Sequence, residues 1–330
     1  MGVTPVADIL ARGRVLLAPM AGVTEAPFRG ICKRFGAGLT YTEMVSVKAL
    51  SYTPDNRRTR ELLSFAPEET PCAVQVYGSE PDLMAEQVAL LAARYGDDIA
   101  VIDINMGCPV TKVVAKGEGS ALMRDPAAAA AIVSAVAAAS SLPVTVKIRS
   151  GWDDAHINAA EFARAMEAAG AAAIAVHGRT REQFYHGKAD WDVIGAVKAA
   201  VDVPVVGSGD LFSAADVRDM LQRTGADAAM VARGAQGNPW IFREALALLE
   251  TGEAVDPPTS LERIDMAREH ARALVEFGGR RAFVRMRKHV AWYIAGMPGA
   301  ARMRAAVNDC VSYEELAGLL AEYRAYVASR

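Results

Sequence analysis

Four cysteines in 330 residues, Cys32, Cys72, Cys108 and Cys310, stand far apart, and none forms a C-x-x-C or pairs with histidine at metal-ligand spacing. An iron–sulfur cluster, a zinc site and a disulfide framework lose support on that ground. The five histidines are equally scattered. No apolar run reaches the roughly 18 residues of a membrane span; the longest, the alanine-rich stretch from Ala127, falls short. The N-terminus carries neither a basic region nor an apolar signal core, so the reading is a cytoplasmic protein without membrane attachment and with no obligatory protein partner in evidence. No G-x-G-x-x-G follows a strand pattern, since GEGSAL and GSGDLF both fail at the last glycine. A resident dinucleotide is therefore not expected.

What the chain has is apolar mass and a repeated unit. Hydrophobic residues make up 52% and charged residues only 23%, which excludes a disordered chain. Short β-rich runs recur at 14–18, 39–43, 72–77, 100–104, 144–148, 173–176, 204–206 and 228–232. Amphipathic helical patterns fit between them, for instance at 82–94, 126–139, 158–169 and 213–222, the last opening on the N-cap Ser213. Eight strands alternating with helices predict an α/β fold, a (β/α)₈ TIM barrel, over residues 1–250. Each strand stops in something polar or glycine-rich. In a barrel those ends converge on one face, where chemistry resides.

The fourth run ends abruptly in Asn105, Gly107, Cys108 and Pro109, placing a thiol at the tip of a turn. Gly107 permits close backbone approach to a ligand and Pro109 fixes the chain that follows. The thiol has three readings at this point: a buried hydrophobe, a nucleophile or a proton donor. After the seventh and eighth runs come GSGD and ARGAQGN, and loops in those positions of a barrel often bind phosphate. Gln75 and Lys147 sit at other strand ends, where they suit the edge of a flat heterocycle above the Met20 backbone. FMN fits that description better than a dinucleotide. A nicotinamide cofactor would visit rather than stay.

Beyond TGEAVDPPTS, a linker by composition at 251–259, residues 260–330 show helical spacing at 260–277, 281–294 and 312–327 without strand signals. The formal charge of the chain is -3, yet this last part holds 12 Lys and Arg against 8 Asp and Glu, a net of +4. Arg281, Arg285 and Lys288 fall at spacings of four and three, so a helix there sets them on one face, suited to a phosphate backbone or to plain solvent.

In order, APMAGVTEAPFR, the Gln75 strand, DINMGCPVTKV, VTVKIRSGWD, VHGRTR, GSGD and ARGAQGNPWIF resemble the tRNA-dihydrouridine synthase family, and RKHVAWYIAGMPGA resembles its bacterial B-type members. The resemblance covers residues 14 to 301. It implies FMN held in the barrel, NADPH as its reductant, and transfer of hydride to C6 of a uracil in tRNA while a cysteine protonates C5. By motif, Cys108 matches that proton donor. Pro19, Met20, Ala21, Gln75, Lys147, His177, Ser208, Gly209, Asp210, Ala232 and Arg233 match flavin-site positions. Asn105, Arg179 and Tyr185 match positions near the uracil, and the helical domain at 260–330 would bind tRNA. Two departures stand out: Ser208 where the family commonly has asparagine, and Ala232 where it has glycine, tolerable only if φ stays negative. The alternatives are an FMN barrel acting on a free pyrimidine, and a flavin- or RNA-binding regulator without turnover.

Overall fold

A computed structural model describes residues 5–330, apart from the side chains of residues 280 and 281. Its centre is a parallel sheet of eight strands, β1 (Val15–Leu17), β2 (Val45–Ser46), β3 (Cys72–Tyr77), β4 (Ile99–Asn105), β5 (Val144–Arg149), β6 (Ile174–His177), β7 (Val205–Ser208) and β8 (Ala228–Val231). They pair in the order β1-β8-β7-β6-β5-β4-β3-β2. Leu17 N donates to Leu39 O (3.0 Å) and Gly38 N to Val15 O (2.9 Å), so the segment leading to β2 closes the ring against β1. The chain is a (β/α)₈ barrel.

Strand parity decides what faces inward. Along β4, Ile102 and Ile104 join the cluster packed under the surrounding helices. Val101 belongs instead to the inner cluster with Leu16, Tyr41, Ala73, Ala175, Val206 and Met230. Because side chains alternate along a strand, Asp103 and Asn105 share the inner face of Val101, and Gln75 shares that of Ala73. Register aligns the strand ends: Gln75 stands opposite Asp103, Asn105 opposite Lys147, Arg149 opposite His177 and His177 opposite Ser208. The polar ends therefore meet at one rim.

The second strand departs from expectation. Residues 39–43 read as strand, but β2 proper is Val45–Ser46, with only a bridge from Tyr41 to Ala73 before it. The polar side chains Thr40, Thr42 and Glu43 bond elsewhere: Glu43 accepts from Gly22 N at 2.6 Å, and Thr42 Oγ1 from Gln75 N at 3.1 Å. Helix ends follow local chemistry more closely. Ser213 and Asp216 form a capping box before Ala214–Thr224, and Gly225, at φ 68°, ends that helix in the left-handed region.

A capping box of Thr259 and Glu262 opens the helical part. The two helices expected there are present, meeting at Gly279, whose φ of 62° interrupts the run Ser260–Tyr293. Ala300–Asp309, not anticipated, and Tyr313–Ala328 follow. These helices bury their own cluster around Leu274, Phe283, Met286, Val290, Leu316 and Leu320, with Trp240 joining it from the barrel side. Of Trp292 and Tyr293, Tyr293 is fully buried. Among the described residues, no helix is long and apolar enough to cross a membrane.

Candidate active site

At the rim of aligned strand ends lies a cavity of about 360 Å³. Pro19, Met20 and Ala21 form one wall, and Gln75, Asn105, Cys108, Lys147, His177, Tyr185, Ser208, Gly209, Asp210, Ala232 and Arg233 line the rest. Residues spread over more than 200 positions of sequence thus share one slot. Its size lies within the range of small-molecule sites.

The turn that carries the thiol is held by a chain of hydrogen bonds that starts in the barrel interior. Asp103 accepts from Thr145 Oγ1 at 2.6 Å and from Gln75 Nε2 at 2.7 Å. Asn105 Nδ2 donates to Gln75 Oε1 at 2.9 Å, and Asn105 Oδ1 accepts from Cys108 N at 2.9 Å. The amide orientations of Gln75 and Asn105 are fixed by this sequence of donors, since a carboxylate at the head can only accept. Arg149 pins the far side of the turn, donating through Nε to Gly107 O (2.8 Å) and through Nη1 to Thr180 O (2.8 Å) and Phe184 O (2.9 Å). Asp103, Thr145 and Arg149 join the site beyond the residues expected from motifs. Strand parity carried the signal, because Asp103 is the inward position between Val101 and Asn105.

Burial then tunes the charges. It raises the Cys108 thiol above its ordinary range, against the lowering influence of the Val110 N–H, Arg149 and Lys147. At neutral pH the sulfur keeps its proton. Burial lifts Asp103 to about 6 despite its two donors. Burial, with Arg149 adding to it, brings Lys147 down to about 8. His177, buried and then surrounded by Lys147, Arg149, Arg179 and Arg233, falls well below the usual imidazole range and is neutral.

The opposite end of the slot is built from close backbone. Gly209 sits at φ 122°, and a Cβ on Gly234 would meet Leu211 O at 2.0 Å, so both turns require glycine. Arg233 lies 5.1 Å from the Tyr185 ring and 5.5 Å from that of Phe212. Ser208 Oγ donates to Met230 O at 3.0 Å. Ala232 has φ -112°, so the negative φ that its methyl requires is met.

Three expected positions turn out differently. Arg179 does not line the cavity: only 1% exposed, it clasps both oxygens of Asp210 at 2.8 Å and also bonds His186 O and Gly187 O. Arg285 and Lys288 are not a free cationic face. Arg285 pairs with Glu61 at 3.2 Å, and Lys288 donates to the Gly22 carbonyl, so both tie the helical part to the barrel. The Arg281 side chain lies outside the described residues. Tyr185, 53% exposed, lines the cavity at its mouth.

Residues 16–327 match the family model described as dihydrouridine synthase. The chain belongs to the dihydrouridine synthase family. It is 44% identical over 313 residues to tRNA-dihydrouridine synthase B of Xanthomonas axonopodis, with 94% of this chain and 92% of that one covered. The enzyme of the same name from Pseudomonas putida is 42% identical over 331 residues, covering 100% and 96%. A probable tRNA-dihydrouridine synthase of Rickettsia conorii is 42% identical over 92% of this chain and 91% of its own. This synthase-family chain also shares its barrel with histamine dehydrogenase from a Rhizobium species, at TM-score 0.53 and 14% identity over 79% of this chain and 49% of that longer one.

Proposed function

We propose that this dihydrouridine synthase reduces the C5–C6 double bond of uridines in tRNA, with FMN resident in the slot and NADPH as a visiting reductant. The observation that carries the reading is the placement of the Cys108 thiol on the same cavity as Gln75, Lys147 and the glycine-lined turns. The donor set suits FMN: the backbone of Pro19, Met20 and Ala21 offers a flat bed, Gln75, Lys147 and His177 offer polar groups to the ring edge, and Ser208, Gly209, Ala232 and Arg233 surround a phosphate position. Asp210 serves that end by holding Arg179 and Arg233, the latter at 3.3 Å. When bound and reduced, the flavin supplies hydride. The chain's own residues supply the rest: Cys108 holds the proton for C5, Asn105 and Arg149 hold its turn, and the slot shields the uracil from water. Heat-released cofactor from the purified protein should co-chromatograph with FMN; a protein that neither carries nor takes up FMN would overturn the reading.

Lys147 gives the cofactor site a pH signature. Its ammonium is lost as pH rises through about 8 in the ligand-free protein. FMN affinity is expected to fall above that pH by up to about tenfold per unit, and Lys147→Met should bind weakly at every pH and lose the dependence. Fluorescence titrations of apoprotein at a series of pH values measure this.

For tRNA, we propose that the helical domain at 260–330, beyond the linker at 251–259, works together with cations around the barrel mouth. Lys112 and Lys116 follow the Cys108 turn and Lys188 follows Tyr185, and all three are exposed. The target base leaves its stack to reach the thiol, as enzymes acting on a base require. Replacing Lys112, Lys116 and Lys188 together by Gln should flatten the slope of log affinity against log salt by about two units, at roughly 0.7–0.9 per phosphate contact. An unchanged slope would show that these lysines face only solvent.

A further inference from the structure

Glu25, His270 and His289 come from three separate stretches of the chain and meet in the seam between barrel and helical part. Each is no more than 2% exposed. Glu25 Oε1 lies 3.2 Å from His289 Nε2 and 3.9 Å from His270 Nε2. Yet Glu25 Oε1 and Oε2, His270 Nε2, and both ring nitrogens of His289 have no hydrogen-bond partner. Five unpartnered polar atoms in one buried spot is an expensive arrangement for protein groups alone.

One donor atom from each residue lies within 4.8 Å of the other two. A tetrahedral zinc with bonds of about 2.0–2.2 Å holds its donors roughly 3.3–3.6 Å apart, so the 3.2 and 3.9 Å spacings bracket what a shared ion needs. Tyr293 Oη lies 3.3 Å from His270 Nδ1, the nitrogen pointing away from Glu25. A metal-bound histidine uses its second nitrogen in this way, because the outer partner fixes the ring and the tautomer. Phe28 stacks on the His270 ring with centroids 5.5 Å apart, holding it from the other side.

We propose that Glu25, His270 and His289 bind one divalent transition ion, zinc by preference for this nitrogen and oxygen donor set, as a buried structural site whose fourth position is filled by the second Glu25 oxygen or a water. Glu25 is the N-cap residue of Ala26–Arg34 in the barrel, while His270 and His289 lie on opposite sides of the break at Gly279. The ion would join both arms of the broken helix to the loop that continues from Met20. The scattered histidines of the sequence become a site only in three dimensions.

The test uses the full chain without a polyhistidine tag, stripped with a chelator and titrated with Co²⁺ and, separately, Zn²⁺. One equivalent should bind, and the cobalt form should show tetrahedral ligand-field bands to the red of any flavin absorption. Glu25→Gln and His289→Gln should each weaken binding by more than about 100-fold, and Tyr293→Phe by about 10-fold. X-ray absorption on the zinc-loaded wild type counts ligands without any variant, so the test survives a variant that fails to fold. Two imidazoles are expected. A sulfur neighbour would bring a cysteine into the ligand set in place of the three residues named, a single imidazole would fit the exposed His156–Asp153 pair, and absence of stoichiometric binding would leave a plain buried histidine–carboxylate contact. Each of these three results overturns the proposal.

Discussion

Cys108→Ala is expected to slow dihydrouridine formation by about 10²–10⁴-fold, or roughly 3–5 kcal/mol of barrier, while leaving reduction of bound flavin by NADPH within a few-fold of the parent. Addition of two hydrogens across C5–C6 needs hydride at one carbon and a proton at the other, and only the second comes from the thiol. The backbone of the turn is held by Asn105 Oδ1 and Arg149 Nε, neither of which uses the sulfur, so the alanine variant should keep its cofactor. The pH dependence has a definite sign. An acid acts while protonated, and burial raises this thiol, so the rate of tRNA reduction should hold through neutral pH and decline only as pH rises above the ordinary thiol range. Stopped-flow flavin bleaching beside single-turnover product formation separates the two steps. Equal loss in both would make Cys108 a flavin-binding or structural residue.

Arg29→Met is expected to lower stability by about 3–5 kcal/mol, the usual cost of stranding one partner of a buried pair. Arg29 and Glu69 are 1% and 0% exposed, joined at 2.7 and 2.8 Å. Arg29 also bonds Thr24 O and Ser64 O, while Glu69 accepts from Thr40 Oγ1 and Ala66 N. Methionine leaves the Glu69 carboxylate buried with its remaining donors and no counter-charge. Adding Glu69→Leu should recover much of the loss, because a buried pair replaced whole is often near neutral. The consequence reaches the site. Thr24 Oγ1 accepts from Met20 N at 3.0 Å, so loosening Thr24 loosens the bed on which the flavin ring is proposed to lie. Denaturant midpoints for the single and double variants measure the stability terms, and an unaltered midpoint in Arg29→Met would contradict them.

How much of this could be read from residues alone follows from how local each signal is. Strand periodicity and caps are local, and they anticipated Cys72–Tyr77 and Pro126–Ala139 to the residue. The segment at 39–43 does bond by backbone to β1 and β3, but the regular strand Val45–Ser46 follows it. Arg179 and Lys288 misled because a cation in a motif or on a helical face says nothing of which carbonyl or carboxylate the fold brings to it. Arg179 met Asp210, 31 residues on, and Lys288 met Gly22, 266 residues back. Asp103 was within reach of the alternation rule, yet an acidic residue inside an apolar strand draws attention only once Gln75 and Thr145 are seen to bond it. The Glu25, His270 and His289 cluster had no sequence signal, since its members are separated by far more than any metal-ligand spacing.

The most direct test of the proposed reaction is incubation of the purified protein with FMN, NADPH and unmodified tRNA, followed by mass spectrometry of the digested RNA. The account predicts a gain of two hydrogens at specific uridines, dependent on NADPH and lost in Cys108→Ala. Oxidation of NADPH without dihydrouridine in the tRNA, or reduction of a free pyrimidine in its place, would contradict it.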